Sequence, residues 1–203
     1  MNIAIIGAGN IGGTLGRKWA QLGHQVTFGV REPQALKVRK LLTAAGPQAA
    51  ARPVDEALAA GELILLAVPG GAVEAVVEDH ASLLDGKVII DATNRIGHPV
   101  MNALATLRAQ APRATLFRAF NNLGWENFAE PAIGADQVDL FYCGDEGSAQ
   151  EAVDGLIAAL GLRPIYLGGT EHAATVDALT GLWFTLALQR GLGRRLAFRM
   201  IRA

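Results

Sequence analysis

The chain of 203 residues has little of several things, and each shortage excludes a class. No apolar run approaches the ~20 residues that cross a bilayer; the longest late one is 182–188. A membrane protein is not expected. Cys143 is the single cysteine, so no internal disulfide framework exists, and a reducing compartment, the cytoplasm, suits it. Charge of one sign is also missing. Lys+Arg number 18 against Asp+Glu 19, net −1, with no block that suits nucleic acid or an anionic membrane. The apolar start reads as a core strand, so no signal peptide is expected before it. Proton donors are scarce. No lysine lies beyond Lys87, and Tyr142 and Tyr166 are the only tyrosines. His24, His80, His98 and His172 form no metal-ligand spacing with each other or with Cys143, so no metal site is expected. No catalytic acid–base set is visible either.

What is present begins at once. Met1 to Ile6 is an apolar run, read as a buried strand, and Gly7-Ala8-Gly9-Asn10-Ile11-Gly12 follows with G-x-G-x-x-G spacing. Leu15, Trp19, Ala20 and Leu22 recur at a helical period, and 25–29 is a second β-rich run. Strand, glycine turn, helix and strand within about 30 residues is the context that a dinucleotide fingerprint requires. Gly7 turns the chain sharply, Gly9 lets backbone approach a pyrophosphate, and Gly12 lets the helix pack on the sheet. The unpaired N–H groups of the first helical turn, with the helix dipole, favour an anion.

An NAD site usually carries Asp or Glu about 20 residues past the glycines. Here Gly29-Val30-Arg31 occupies that place. The planar fork of Arg31 suits a 2′-phosphate, which favours NADP. A plain solvated arginine is the alternative, and Glu32 would reverse the preference if it faced the ribose. Lys37 and Arg39 add positive charge in the next helix.

Helices are expected over 35–45 (opened by Pro33), 56–60, 72–84, 101–110, 148–160 and 173–188. Strands are expected over 49–53, 63–68, 87–92, 114–120, 139–143 and 163–167. Asp55 reads as an N-cap or first-turn acid. The alternation gives an α/β fold: a Rossmann-like, doubly wound, mostly parallel sheet with a short α/β C-terminal extension. The expected organisation is one NAD(P)-binding domain over 1–203. Residues 1–120 form its dinucleotide core; 121–203 complete the acceptor site and a dimer surface. Ligands in such sheets sit beyond the carboxyl ends of strands. Three such ends should converge: the glycine turn, Val68-Pro69-Gly70-Gly71 and Asp91-Ala92-Thr93-Asn94. Strand stops and turn capping are the plainer readings of the last two.

These motifs, in order, resemble the NADPH-dependent oxidoreductases of the coenzyme F420 type. The cytosolic oxidoreductase domain of six-transmembrane metalloreductases is similar. The resemblance rests on Ile6-Gly7-Ala8-Gly9-Asn10-Ile11-Gly12, Phe28-Gly29-Val30-Arg31-Glu32-Pro33, Ala67-Val68-Pro69 and Asp91-Ala92-Thr93-Asn94. It continues through Ala119-Phe120-Asn121, Cys143-Gly144-Asp145-Glu146, Gly168-Gly169 and Gly193-Arg194-Arg195-Leu196-Ala197-Phe198. It implies that Gly9, Asn10 and Ile11 hold the pyrophosphate and Arg31 the 2′-phosphate. It implies that Val68 and Pro69 flank the path from adenosine to nicotinamide. Asn121, Leu123 and Trp125 would stand near the nicotinamide. With Gly7, Gly12 and Asn94, these are the expected cofactor-binding residues. Val30, Ala174, Asp177 and Trp125 depart from the family pattern.

Hydride transfer between nicotinamide and a flavin-like ring needs no obligate side-chain base, whereas carbonyl reduction normally wants a proton donor. The expected activity is therefore hydride transfer between NADPH and coenzyme F420 or a flavin-like acceptor. The alternatives are another small NAD(P)H-dependent reductase, of imine type, and a non-catalytic NADP-binding sensor. The acceptor is expected between the Val68-to-Gly71 loop, the segment 121–125 and the turn 168–172, with glycines leaving room for a flat ring. His172 is the one histidine with a claim on that pocket. The final helix, apolar nearly all round, suggests a homodimer.

Overall fold

The computed structural model describes residues 1–202. The first half alternates strand and helix: β1 Asn2–Ile6, α1 Asn10–Gln21, β2 Gln25–Gly29, α2 Leu36–Ala45, β3 Ala49–Arg52, α3 Val54–Ala60 and β4 Leu63–Leu66. A 3-10 turn, Gly70–Ala72, leads into α4 Val73–Asp79 and α5 Ala81–Leu84. Then come β5 Val88–Asp91, α6 Leu104–Gln110 and β6 Thr115–Arg118. The last part holds α7 Trp125–Ala129, the short hairpin β7 Ala132–Ile133 with β8 Asp136–Gln137, β9 Asp139–Gly144 and α8 Ser148–Ala159. It ends with β10 Arg163–Tyr166, a 3-10 turn Thr170–His172, α9 Ala173–Phe184 and a π-helical turn Thr185–Gln189.

Eight strands form one sheet in the order β10-β9-β6-β5-β4-β1-β2-β3. Every neighbouring pair is parallel except β6 and β9. The six strands β1 to β6 give the order 3-2-1-4-5-6 of a doubly wound dinucleotide fold, as the pattern predicts. Both faces are covered. Ile3 and Ile5 enter the core on one side with Leu15, Trp19 and Phe28; Ala4 and Ile6 enter the other with Leu58, Ile64 and Val77. Burial on two faces is why β1 and β4 read as continuous apolar runs rather than alternating ones.

Some boundaries move for local reasons. The expected helix 72–84 breaks at His80, whose φ of −122° and ψ of 21° leave the helical region; its Nδ1 lies 3.0 Å from Asp55 Oδ1. Asp55 sits in the first turn of α3, after Pro53 at the N-cap. Pro33 lies in a turn, and α2 starts only at Leu36. The helix expected from 101 starts at Leu104, whose N–H donates to Asn102 Oδ1 at 3.2 Å. Helix α7 and the β7–β8 hairpin were not visible in the sequence pattern; both are too short for a periodic signal. After Gln189 the chain returns along α7 and β9. Asn127 Nδ2 donates to the carbonyls of Arg194 and Leu196, and Asp139 N–H donates to the carbonyl of Phe198.

Candidate functional site

The glycine turn has the geometry its spacing implies. Gly7 stands at φ +109°, and a Cβ there would meet Ala67 O at 2.6 Å. A Cβ on Gly12 would collide with the carbonyl of Gly7, so α1 can lie against the turn only because that side chain is missing. Gly9 differs from both: nothing lies within 4 Å of its would-be Cβ. Its backbone faces open space at the N-terminus of α1. No side chain caps that helix and no acid stands in its first turn. Asn10 is exposed and Ile11 half-buried. An uncapped twelve-residue helix end with an open glycine beside it fits a pyrophosphate.

Arg31 follows β2 and is exposed, as is Glu32. Among the described residues, no ion pair includes either one. The loop after β4 brings Val68, half-buried, and Pro69, exposed, to the same edge. A Cβ on Gly70 would collide with the carbonyl of Asn94. This glycine therefore serves close packing between the β4 and β5 loops and leaves no space for a ring; Gly71 is open.

The third converging end is a buried polar network. Arg118, fully buried at the end of β6, donates from Nε to Asp177 Oδ1 at 2.8 Å. Its Nη1 donates to the carbonyls of Asp91 at 3.1 Å and Thr93 at 2.5 Å, and its Nη2 to Asn94 Oδ1 at 2.9 Å. Asp91 accepts at Oδ1 from Thr93 N–H and hydroxyl, and at Oδ2 from Ala103 N–H. Asp177 accepts from Asn102 Nδ2 at 2.7 Å. The fork of one arginine thus ties the ends of β5 and β6 to α6 and to the middle of α9. Asn94 is fixed further by donating to the carbonyl of Asn121 at 2.9 Å. Asn121 donates from Nδ2 to Thr180 Oγ1 at 2.8 Å, and its Oδ1 is buried without a partner.

Phe120, just before Asn121, adopts φ +63°, the only positive φ outside glycine among the described residues. A bulky residue there is strained, and such strain persists only when the surroundings over-determine it. Phe120 is held edge-on between Trp19 and Phe128, with ring centroids at 5.6 and 5.7 Å. The kink sends the next residues away from the strand line. Leu123 is buried in the core at 4% exposure, so its side chain is a wall of the core. Trp125 opens α7, half-buried against the same core, and α7 packs on α1.

One expected contributor lies elsewhere. Strand β9 is antiparallel to β6 and β10 is parallel to β9. The end of β10 therefore points to the opposite sheet edge. Gly168 O accepts from Gly144 N–H, and the next N–H, of Asp145, donates to Leu116, early in β6. The turn 168–172 and His172 are thus removed from the carboxyl edge. The part of this segment that reaches the edge is the middle of α9: Asp177, which the sequence marked as a departure from the family pattern, and Thr180, which it did not single out.

Neither neighbouring protic side chain is a ready nucleophile. Burial pushes the Cys143 thiol up to about 12. Burial, then the Asp154 carboxylate at 2.5 Å, pushes the Tyr142 phenol well above its ordinary value. No described helix is long and apolar enough to cross a membrane.

Residues 2–95 match the family described as NADP oxidoreductase, coenzyme F420-dependent. A crystal structure of a nominal F420-dependent NADP reductase from Arthrobacter sp. FB24 covers 100% of both chains with a TM-score of 0.86 and 25% identity. A reductive aminase from Aspergillus terreus matches at TM-score 0.67 and 25% identity, over 94% of this chain and 62% of its own. Metalloreductase STEAP3 of Rattus norvegicus is 28% identical over 87% of this chain. The chain spans about a third of the length of the curated relatives it matches, 36% in that metalloreductase. Over residues 2–95 the chain thus matches the F420-dependent NADP oxidoreductase family, and over its whole length it shares the fold of the Arthrobacter protein.

Proposed function

We propose that this protein transfers a hydride between NADPH and a flat redox acceptor of deazaflavin (coenzyme F420) or flavin type. One observation carries the reading. The nucleotide edge is open and cationic, at Gly9, the uncapped α1 and Arg31, while the charged side chains at the next strand ends, Asp91, Arg118 and Asp177, are consumed by the network they form. When bound, NADPH supplies the hydride. The chain's part is to bind and orient: Gly7, Gly9, Asn10, Ile11 and Gly12 at the pyrophosphate, Arg31 at the 2′-phosphate, and Val68, Pro69 and Asn94 along the path to the nicotinamide. Asn121 and Trp125 form the end where the two rings meet, and Leu123 backs it from the core. Residues 121–203 act as an extension of the same domain, completing the acceptor side through α7 and α9. A network whose charges satisfy each other suits ring-to-ring hydride transfer, which moves no proton through a side chain.

The test follows NADPH absorbance with coenzyme F420, FMN, ferric chelates and a small cyclic imine offered separately. Turnover with F420 or FMN is expected. Turnover with the imine alone transfers the assignment to the imine-reducing class. Tight NADPH binding without oxidation by any acceptor makes the chain a sensor.

A further inference from the structure

We propose that Arg52 is a second cation for the ribose 2′-phosphate, standing across one strand gap from Arg31. The inference rests on the NADP preference proposed above and deepens it.

Strands β2 and β3 end side by side at the nucleotide edge. Gly29 pairs with Arg52, and Val30 N–H donates to the Arg52 carbonyl at 3.0 Å. Val30 offers a phosphate no side-chain donor, so Arg31 alone represents the β2 loop there. Helix α3 seats Arg52 at this spot. A Cβ on Gly29 would lie 3.1 Å from Ala57 Cβ and 3.4 Å from Val54 Cα, so α3 approaches the end of β2 as closely as glycine permits. Its first turn presents Glu56 to Arg52, Nη1 to Oε2 at 3.1 Å.

That ion pair is a weak hold. Both side chains are 56% exposed, and the contact uses a single N–O pair in place of the two-pronged fork. A ribose 2′-phosphate brings nearly two negative charges and three acceptor oxygens to the mouth of the same two strands. It offers Arg52 a better partner than Glu56, within the span of one arginine side chain from a neighbouring strand. Glu56 then acts as a parking position for Arg52 and, by its own charge, as a brake on phosphate affinity. Arg31 and Arg52 together make a clamp open to solvent from both sides of the β2 end.

The experiment measures binding of 2′,5′-ADP and 5′-AMP, which share the adenosine and differ at the 2′-phosphate, by calorimetry. R52A is expected to weaken 2′,5′-ADP about tenfold and leave 5′-AMP unchanged. R52K should recover part of the loss, because it keeps the charge and loses the fork. E56Q should tighten 2′,5′-ADP severalfold. If R31A abolishes discrimination between the probes while R52A and E56Q leave it at the wild-type value, Arg52 is no phosphate ligand and the NADP preference still stands. If the wild type does not discriminate the probes, the NADP preference fails and the Arg52 clamp fails with it.

Discussion

Arg118 is the residue on which the carboxyl edge closes. It is fully buried, and its four partners come from two separate stretches of chain, 91–94 at the end of β5 and Asp177 in α9. Removing one partner of a buried ion pair strands a charge and costs about 3–5 kcal/mol. Asp177→Ala should therefore lower unfolding stability by about that amount, whereas Asp177→Asn keeps the shape and costs less. Urea titration checks this; an unchanged midpoint for Asp177→Ala would show that the pair carries no load. A second prediction concerns Cys143, paired in register with Arg118. Burial raises its thiol from an ordinary 9.0 to about 12. The unfolded chain loses that proton near 9 and the folded chain keeps it, so stability is full below 9 and is lost as pH rises toward 12. Tyr142 and Tyr166, also raised by burial, act in the same direction. The urea midpoint should stay flat from neutral pH to about 9 and then fall, and Cys143→Ala should fall less steeply. Equal slopes for the two proteins would remove Cys143 as a cause. The sequence showed Asp91 and Asn94 as turn residues; Asp91 does cap its turn, while the Asn94 side chain bridges instead to Arg118 and to the Asn121 carbonyl. It did not show Arg118 joined to Asp177, because the two lie 59 residues apart and only topology brings them together.

At the scale of elements, local patterns and the parallel run β1 to β6 were legible, and the reversal at β9 was not. The fingerprint glycines could be assigned because each acts within its own turn. Gly16, one helical turn past Gly12, escaped notice; its missing Cβ leaves room for Ile5 and Phe28, each about 2.5 Å from where it would stand. Spacing cannot reveal that clash, since it depends on how close α1 lies to the sheet. The direction of β9 was hidden for a related reason. A right-handed crossover through a helix sets a parallel neighbour, but β6 reaches β9 through α7 and a hairpin and arrives reversed. The segment carrying Trp125 is where this matters for chemistry. Trp125→Ala should change the Michaelis constant for the acceptor while that for NADPH barely moves. The tryptophan is only half-buried, so the melting loss should be smaller than the 3–5 kcal/mol typical of emptying a fully buried aromatic site. Unchanged acceptor kinetics with a large melting loss would make Trp125 a core residue alone.

At the scale of the whole molecule, the outer face of α9 is an apolar surface that the described residues do not cover. Helix α9 buries Val176, Thr180 and Trp183 against the sheet and turns Thr175, Ala178 and Leu182 outward. With Phe141, Leu167 and Leu179 these line an open groove of about 380 Å³. Leu182 is 45% exposed. The late arginines do not cover the groove: Arg194 and Arg195 pair with Glu126 and Glu130, Arg199 with Asp136, and together they hold the returning tail against α7 and the hairpin. The helix meets the sheet on one stripe and leaves the opposite stripe apolar, which a solvated surface helix ordinarily makes polar. We propose that a second copy of the chain covers this stripe, α9 against α9 about a two-fold axis, the commonest symmetry of soluble oligomers. Leu182→Glu places a charge at the centre of such an interface, where it would be buried in pair on both copies. Wild-type protein at micromolar concentration should sediment as twice 21.3 kDa, and the variant as a single chain. The variant's melting curve should lose its dependence on protein concentration, because only an assembling protein gains stability by mass action. A wild-type species of 21.3 kDa, with a melting temperature that does not move with concentration, would leave the stripe to another partner and end the dimer proposal.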